Sequence, residues 1–189
     1  MGITLIVPPE LEPVTLYEVK NWCRVDLADP YFDPLLEANR IAAREYLEES
    51  TGRQIITATW KATGRCFVAE GTRLPKPPLQ SVVSVQYRDV DGTLQTLDAA
   101  EYTVDVDNNC IQPVNAWPRV GDYTDAVQIT FQAGYGDAAS DVPQRVKHAV
   151  LMLALHWFDN PQPAVDERVY SVPRTTAALI RQLKDWQRL

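Results

Sequence analysis

The chain has 189 residues, 46% of them hydrophobic and 23% charged, with 18 Lys and Arg against 25 Asp and Glu and a net charge of −7. That length and apolar fraction predict one domain with a real core and exclude wholesale disorder. The acidic balance excludes a protein that wraps nucleic acid through a broad basic face, while an acidic surface suits passive contact past which phosphate slides.

The first residues, "MGITLIVPPELEP", carry a short apolar run and no basic flank, so no signal peptide is expected; residue 6 is Ile where myristoylation needs Ser or Thr. No run of about eighteen apolar residues occurs to span a membrane, the longest candidate being Ala149 to Phe158. Thr15-Leu16-Tyr17-Glu18 has the spacing of a capping box and predicts a short helix from Leu16 to about Cys23. "DLADPYFDP" breaks it. Asp33 as cap and Pro34 at the first helical position begin a second helix, which ends near Thr51 with Gly52 as its stop. Leu35, Asn39, Ala42 and Tyr46 form one stripe of that helix, and Leu36, Ala43 and Leu47 form its neighbour. The acidic residues Glu45, Glu48 and Glu49 read as its solvated face.

The middle changes character. "RQIITATWKAT" is β-branched and aromatic, and "LPKPPLQ" is a proline-rich corner. "SVVSVQYRDVDGTLQTLD" alternates, turns at Asp91-Gly92 and alternates again. "EYTVDV" and "CIQPV" flank a turn at Asp107-Asn108-Asn109, and "DAVQITFQA" closes a series of five to seven short strands between residues 53 and 133. After "GYGD", Asp141 as cap and Pro143 in the first turn predict a helix to Trp157 or Phe158. It is apolar nearly all round, which places it centrally in a core or an interface, with Val150, Leu153 and Trp157 buried. A loop follows from Asp159 to Pro173. Residues 174–189 predict a last amphipathic helix with Leu179, Leu183 and Trp186 on one stripe.

Strand, glycine turn and helix is the order of a phosphate-binding loop, but the details disagree. No Lys precedes the helix, Ala139 stands where a dinucleotide loop needs Gly, and Asp137 and Asp141 would set negative charge against an anion. Gly134 and Gly136 therefore read as a hinge. His148 and His156 are eight apart on one helix, about 12 Å of rise, too far to share an ion. Cys23, Cys66 and Cys110 are scattered and odd in number, as reduced thiols are. Asp105-Asp107-Asn108-Asn109 lacks the Gly and distal Glu of a calcium loop. No nucleophile–base pattern occurs. No catalytic, cofactor or metal residue is assigned; the alternative to a structural role is a small soluble enzyme or ligand-binding domain without a recognisable motif.

"PPELEPVTLYEVKNWCRVD", "AAREYLEESTGRQIITATW", "LPKPPLQSVVSVQYRDVDGTLQTLDAAEYTVD" and "FQAGYGDAASDVPQRVKHAVLMLALHWFDN", in that order and spacing, resemble the phage head–tail connectors, also called adaptors or head-completion proteins, which gene transfer agents carry too. The resemblance covers nearly the whole chain. It implies an α+β fold with a helical core and a β-rich insertion: residues 1–52 helical, 53–133 the insertion, 134–173 core helix and linker, and 174–189 a portal-docking helix. It implies a structural protein of the virion neck, assembled in the bacterial cytoplasm as a ring, usually dodecameric, beneath the portal protein. Tail or stopper protein would lie on the other side, and double-stranded DNA would pass through the lumen without sequence-specific binding. No cofactor and no membrane are implied. Portal contacts in the family come from the C-terminal region, which here means Arg174, Leu179, Arg181, Leu183, Lys184, Trp186, Arg188 and Leu189. The preceding linker would let that helix swing away from its own domain in the free chain.

Overall fold

The computed structural model of the protein describes residues 1–160 and 174–185. Among them are four α-helices and eight strands in two antiparallel sheets, the expected α+β class. They divide into two compact units. One comprises Met1–Glu10 and Thr57–Tyr135; the other comprises Leu11–Ile56 and the described residues from Gly136 onward.

The first unit is all β. Its larger sheet has the order β1 (Gly2–Val7), β2 (Ala58–Gly64), β8 (Val127–Ala133), β4 (Leu79–Arg88), β5 (Leu94–Thr96). The smaller sheet runs β3 (Thr72–Arg73), β7 (Cys110–Pro113), β6 (Tyr102–Asp105). β8 lies centrally and pairs with β2 on one side and β4 on the other. Its alternate residues Val127, Ile129, Phe131 and Ala133 join Ala62, Leu79, Val85 and, from the smaller sheet, Ile111 in one buried cluster. Alternation at period two puts these side chains on a common face, and burying that face is what holds the unit.

Three strand expectations need adjusting. The apolar run before Pro8 is itself a strand, β1, which pairs antiparallel with β2 and belongs to the β unit; its short length hid it. Residues 53–57 are not a strand: Ile55 and Ile56 are buried with the helices, and β2 starts at Ala58. The β4–β5 hairpin forms where expected, but its loop is longer than the two residues Asp91-Gly92. Gly92 N donates to Asp89 O and Asp89 N donates to Thr93 O, both at 3.0 Å, and only Gly92 has positive φ, 85°. Asp89 organises the loop: Oδ1 accepts from the N–H groups of Asp91 and Thr93, and Oδ2 from Gln95 Nε2. The second predicted hairpin turns at Val106–Asn109, where Asn109 takes the left-handed conformation.

The second unit is helical. α1 (Leu16–Trp22) carries the capping box in full: Glu18 N donates to Thr15 Oγ1 at 3.1 Å and Thr15 N donates to Glu18 Oε2 at 2.6 Å. α2 (Asp33–Thr51) ends on left-handed Gly52 as expected, but begins one residue differently: Phe32 is the N-cap and Asp33 is already helical. The stripe that faces inward is Leu36, Ala43 and Leu47, while Leu35, Ala42 and Tyr46 of the adjacent stripe are exposed. α3 (Gln144–Asp159) starts after Pro143; Asp141 instead caps a preceding 3-10 turn at Ala139–Asp141, accepting from Ala138 N. Val146, Ala149, Val150, Leu153 and Ala154 are buried, whereas Trp157 is only half-buried, edge-on to Tyr46.

A buried polar network closes this unit. Arg44 Nε donates to Glu12 Oε2 at 2.9 Å and Arg44 Nη1 to Glu48 Oε2 at 2.8 Å. Glu48 Oε1 in turn accepts from Gln54 Nε2 at 2.7 Å and Ile55 N at 3.0 Å. Glu48 is therefore no part of a solvated face. It ties the chain leaving α2 to the segment entering α1, and burial pushes the Glu12 carboxyl up against the pull of Arg44.

Candidate functional site

Among the described residues, no group of three or more His, Cys, Asp or Glu is placed to hold a metal ion, and no helix is long and apolar enough to cross a membrane. His148 lies edge-on to Trp22 at 5.2 Å, a packing contact. The three cysteines are free. The acidic turn Asp105–Asn109 is closed by its own bonds, Asp105 Oδ1 accepting from Asn108 N and Oδ2 from Asn108 Nδ2.

The "GYGD" segment is the point where the chain leaves the β unit. Gly134 has φ 138°, a conformation other residues rarely take; its N–H donates to Pro78 O and its carbonyl accepts from Gln80 Nε2. A Cβ on Gly136 would collide with the Asp141 side chain. Both glycines thus have structural grounds, one conformational and one steric, and no anion is needed to explain either.

The candidate surface is α4 (Arg174–Asp185). Its inner side is held by its own unit: Thr176 and Leu183 are buried, Leu179 and Ile180 are half-buried, and Arg53 Nε donates to Leu183 O at 3.0 Å. The helix packs on α2 and α3. It is therefore docked on its own unit rather than swung away, because its apolar stripe finds a place there. Arg181 and Lys184 are exposed on the outer side. Of the expected contact residues, Leu183 thus faces the core, Leu179 lies at the margin, and Arg181 and Lys184 face outward. Trp186, Arg188 and Leu189 lie outside the described residues, as does the side chain of Arg174.

The sequence reading missed a second surface. Every residue of β1 is exposed, although its sequence is GITLIV. It forms one edge of the larger sheet, and β5, also exposed throughout, forms the other. The signal was present as an apolar run followed by Pro8-Pro9, but the run was too short to be told from a loop.

No protein-family model matches the chain, and no curated protein matches it in sequence. Solved structures do match in fold. A chain from the virion of a native gene transfer agent particle superposes with a TM-score of 0.80 at 19% identity, covering 97% of this chain and 95% of that one. A chain from the neck of an empty gene transfer agent particle, computed with C6 symmetry, gives 0.80 at 20% identity with the same coverage. A chain from the neck of a native particle, computed with C12 symmetry, gives 0.75 at 20% identity, again over 97% and 95%. The α+β fold of this chain, both units included, is the fold of these neck and virion chains.

Proposed function

We propose that the chain is a structural head–tail adaptor of a phage or gene transfer agent particle. Copies form a ring, dodecameric, beneath the portal protein; the ring extends the DNA channel and joins the capsid to a tail or stopper protein. The observation that carries this reading is the likeness over nearly the full length of both chains to components of gene transfer agent particles, two of them from the neck.

The physical chemistry is consistent with a channel wall. A net charge of −7 repels passing phosphate, so double-stranded DNA moves through without sticking and is not read. The portal contact is assigned to the outer side of α4, through Arg181 and Lys184, continued by Trp186, Arg188 and Leu189; Trp and Arg are the residue types enriched at interface hot spots. Leu183 contributes indirectly, by fixing the helix to its own unit. The protein assembles in the bacterial cytoplasm and ends in the virion neck.

The test is loss and restoration. Particles made without this chain are expected to accumulate as portal-bearing heads without tails, and added purified protein restores joining. Normally tailed particles in its absence would overturn the reading. The double variant R181E/K184E, at exposed positions, is expected to keep its melting temperature and no longer join portal-bearing heads; joining at wild-type occupancy would move the portal contact elsewhere.

A further inference from the structure

We propose that β1 is the subunit-to-subunit contact of the ring: the Gly2–Val7 edge of one copy adds to the opposite edge of the larger sheet in the next copy, formed by β5 and the part of β4 that β5 leaves open. This rests on the ring reading above and assigns the surface that closes it.

β1 exposes apolar side chains on the wrong side of the sheet for a free monomer. Ile3 pairs with Ala62 and Leu5 with Trp60, and directly paired residues point to the same face. Ala62 is in the buried cluster and Trp60 packs against it. The core face therefore continues onto β1 and emerges uncovered, with Ile3 39% and Leu5 42% exposed. Beyond the irregularity between Leu5 and Val7, Ile6 and Val7 are exposed as well. Natural edge strands are blunted with charge, especially Lys, or with Pro. Gly2–Val7 has neither.

The opposite edge is open over part of its length. β4 has ten residues and β5 three, and they pair only over Gln86–Arg88. Gln80–Ser84 thus have no strand partner on that side among the described residues; at the ends of that stretch Leu79 N donates to Asn109 Oδ1 at 2.7 Å and Val85 O accepts from Leu97 N at 2.8 Å. Val83 is 59% exposed and Leu94 43%. The stretch LQSVVS has no charge, and neither has LQT of β5.

Three observations select a second copy as the occupant. The two edges lie on opposite sides of one sheet, as a head-to-tail contact repeated round a closed ring requires. Copies of a chain with charge −7 repel one another, so contact between them is least opposed where both surfaces are uncharged. β1 and β5 are the outer strands of the sheet, and an edge strand presents backbone N–H and C=O groups on its open side that pair strand to strand without any special side chain.

The test uses assembled particles. The photoreactive residue p-benzoylphenylalanine is placed at position 5, whose side chain is exposed, and irradiated particles are analysed by gel and mass spectrometry. The expected product has twice the chain mass and joins position 5 to residues 79–96 of another copy. In parallel, the double variant I3K/L5K is expected to keep its melting temperature while neck occupancy falls by about tenfold or more. A cross-link to a different particle protein, no cross-link although the chain is in the neck, or wild-type occupancy of I3K/L5K would each overturn the edge assignment. If the wild-type chain is absent from the neck altogether, the adaptor reading falls, and this inference with it.

Discussion

β8 and β1 belong to one sheet and are both rich in apolar and β-branched residues, yet one is buried almost throughout and the other exposed throughout. The difference is position. β8 has a strand on each side and the smaller sheet's Ile111 in the cluster against its face, whereas β1 has one neighbour and an uncovered face. Hydrophobic content decides that a segment becomes a strand; strand order decides what that strand is for. A buried apolar strand stabilises the unit, and an exposed one is available to a partner.

The comparison is broken most sharply by truncating one side chain on each strand. Phe131→Ala empties the centre of the cluster and is expected to cost about 3–5 kcal/mol. Leu5→Ala removes an exposed side chain and is expected to stay within about 0.5 kcal/mol. Chemical denaturation of both variants checks this; equal losses would mean that β1 is as integral to the monomer as β8.

The two stripes of α2 make the same contrast in the helical unit. Leu47→Ala is expected to cost about 2–5 kcal/mol. Leu35→Ala, on the exposed stripe, is expected to change stability by about 0.5 kcal/mol or less. A reversed order in thermal melts would mean that the Leu35 stripe, not the Leu47 stripe, faces the core.

The β4–β5 hairpin carries smaller effects. Gly92→Val forces a β-branched residue to positive φ and brings a Cβ to 2.7 Å from the Tyr123 hydroxyl. It is expected to cost about 1–2 kcal/mol and to loosen the hairpin while the helices keep their ellipticity. The smallest effect is electrostatic. The Gln95 side chain, then the Thr93 N–H, hold the Asp89 carboxyl below its usual range. A depressed carboxylate contributes stability above the unfolded value, near pH 4, and loses it as pH falls through the folded value. Asp89→Ala is therefore expected to lower the melting temperature at neutral pH, with the gap from wild type closing in acid. A constant gap across that range would show that the carboxylate charge is not what organises the loop.

What the sequence made legible were the local signals. The Thr15–Glu18 box, the Gly52 stop and the turn ending at Asn109 depend on neighbours a few residues away and are where their residues placed them, and the β4–β5 hairpin turns around Asp91-Gly92, though in the longer loop Asp89–Thr93. The errors lie where distant partners decide. Spacing marked two neighbouring stripes on α2 without saying which faces inward, and Glu48, beside the buried one, read as solvated. Glu12, more than thirty residues earlier, pairs Arg44, while Gln54 and Ile55 occupy Glu48; those bonds allow charge on the buried side. β1 was missed because a short run becomes a strand only when Thr59–Thr63 are there to pair with it. On the candidate site, spacing located the amphipathic last helix, but the docking of Leu183 depends on α2, α3 and the Arg53 bond, none of which a helical stripe reveals.

The central claim is that this chain forms the ring between portal and tail. Symmetry-resolved electron cryomicroscopy of the neck of the particle that carries it tests this most directly. The account predicts density for the chain in a closed ring of twelve, in contact with the portal on one side and the tail or stopper on the other. A neck complete without it, or the chain elsewhere in the particle, would contradict the account.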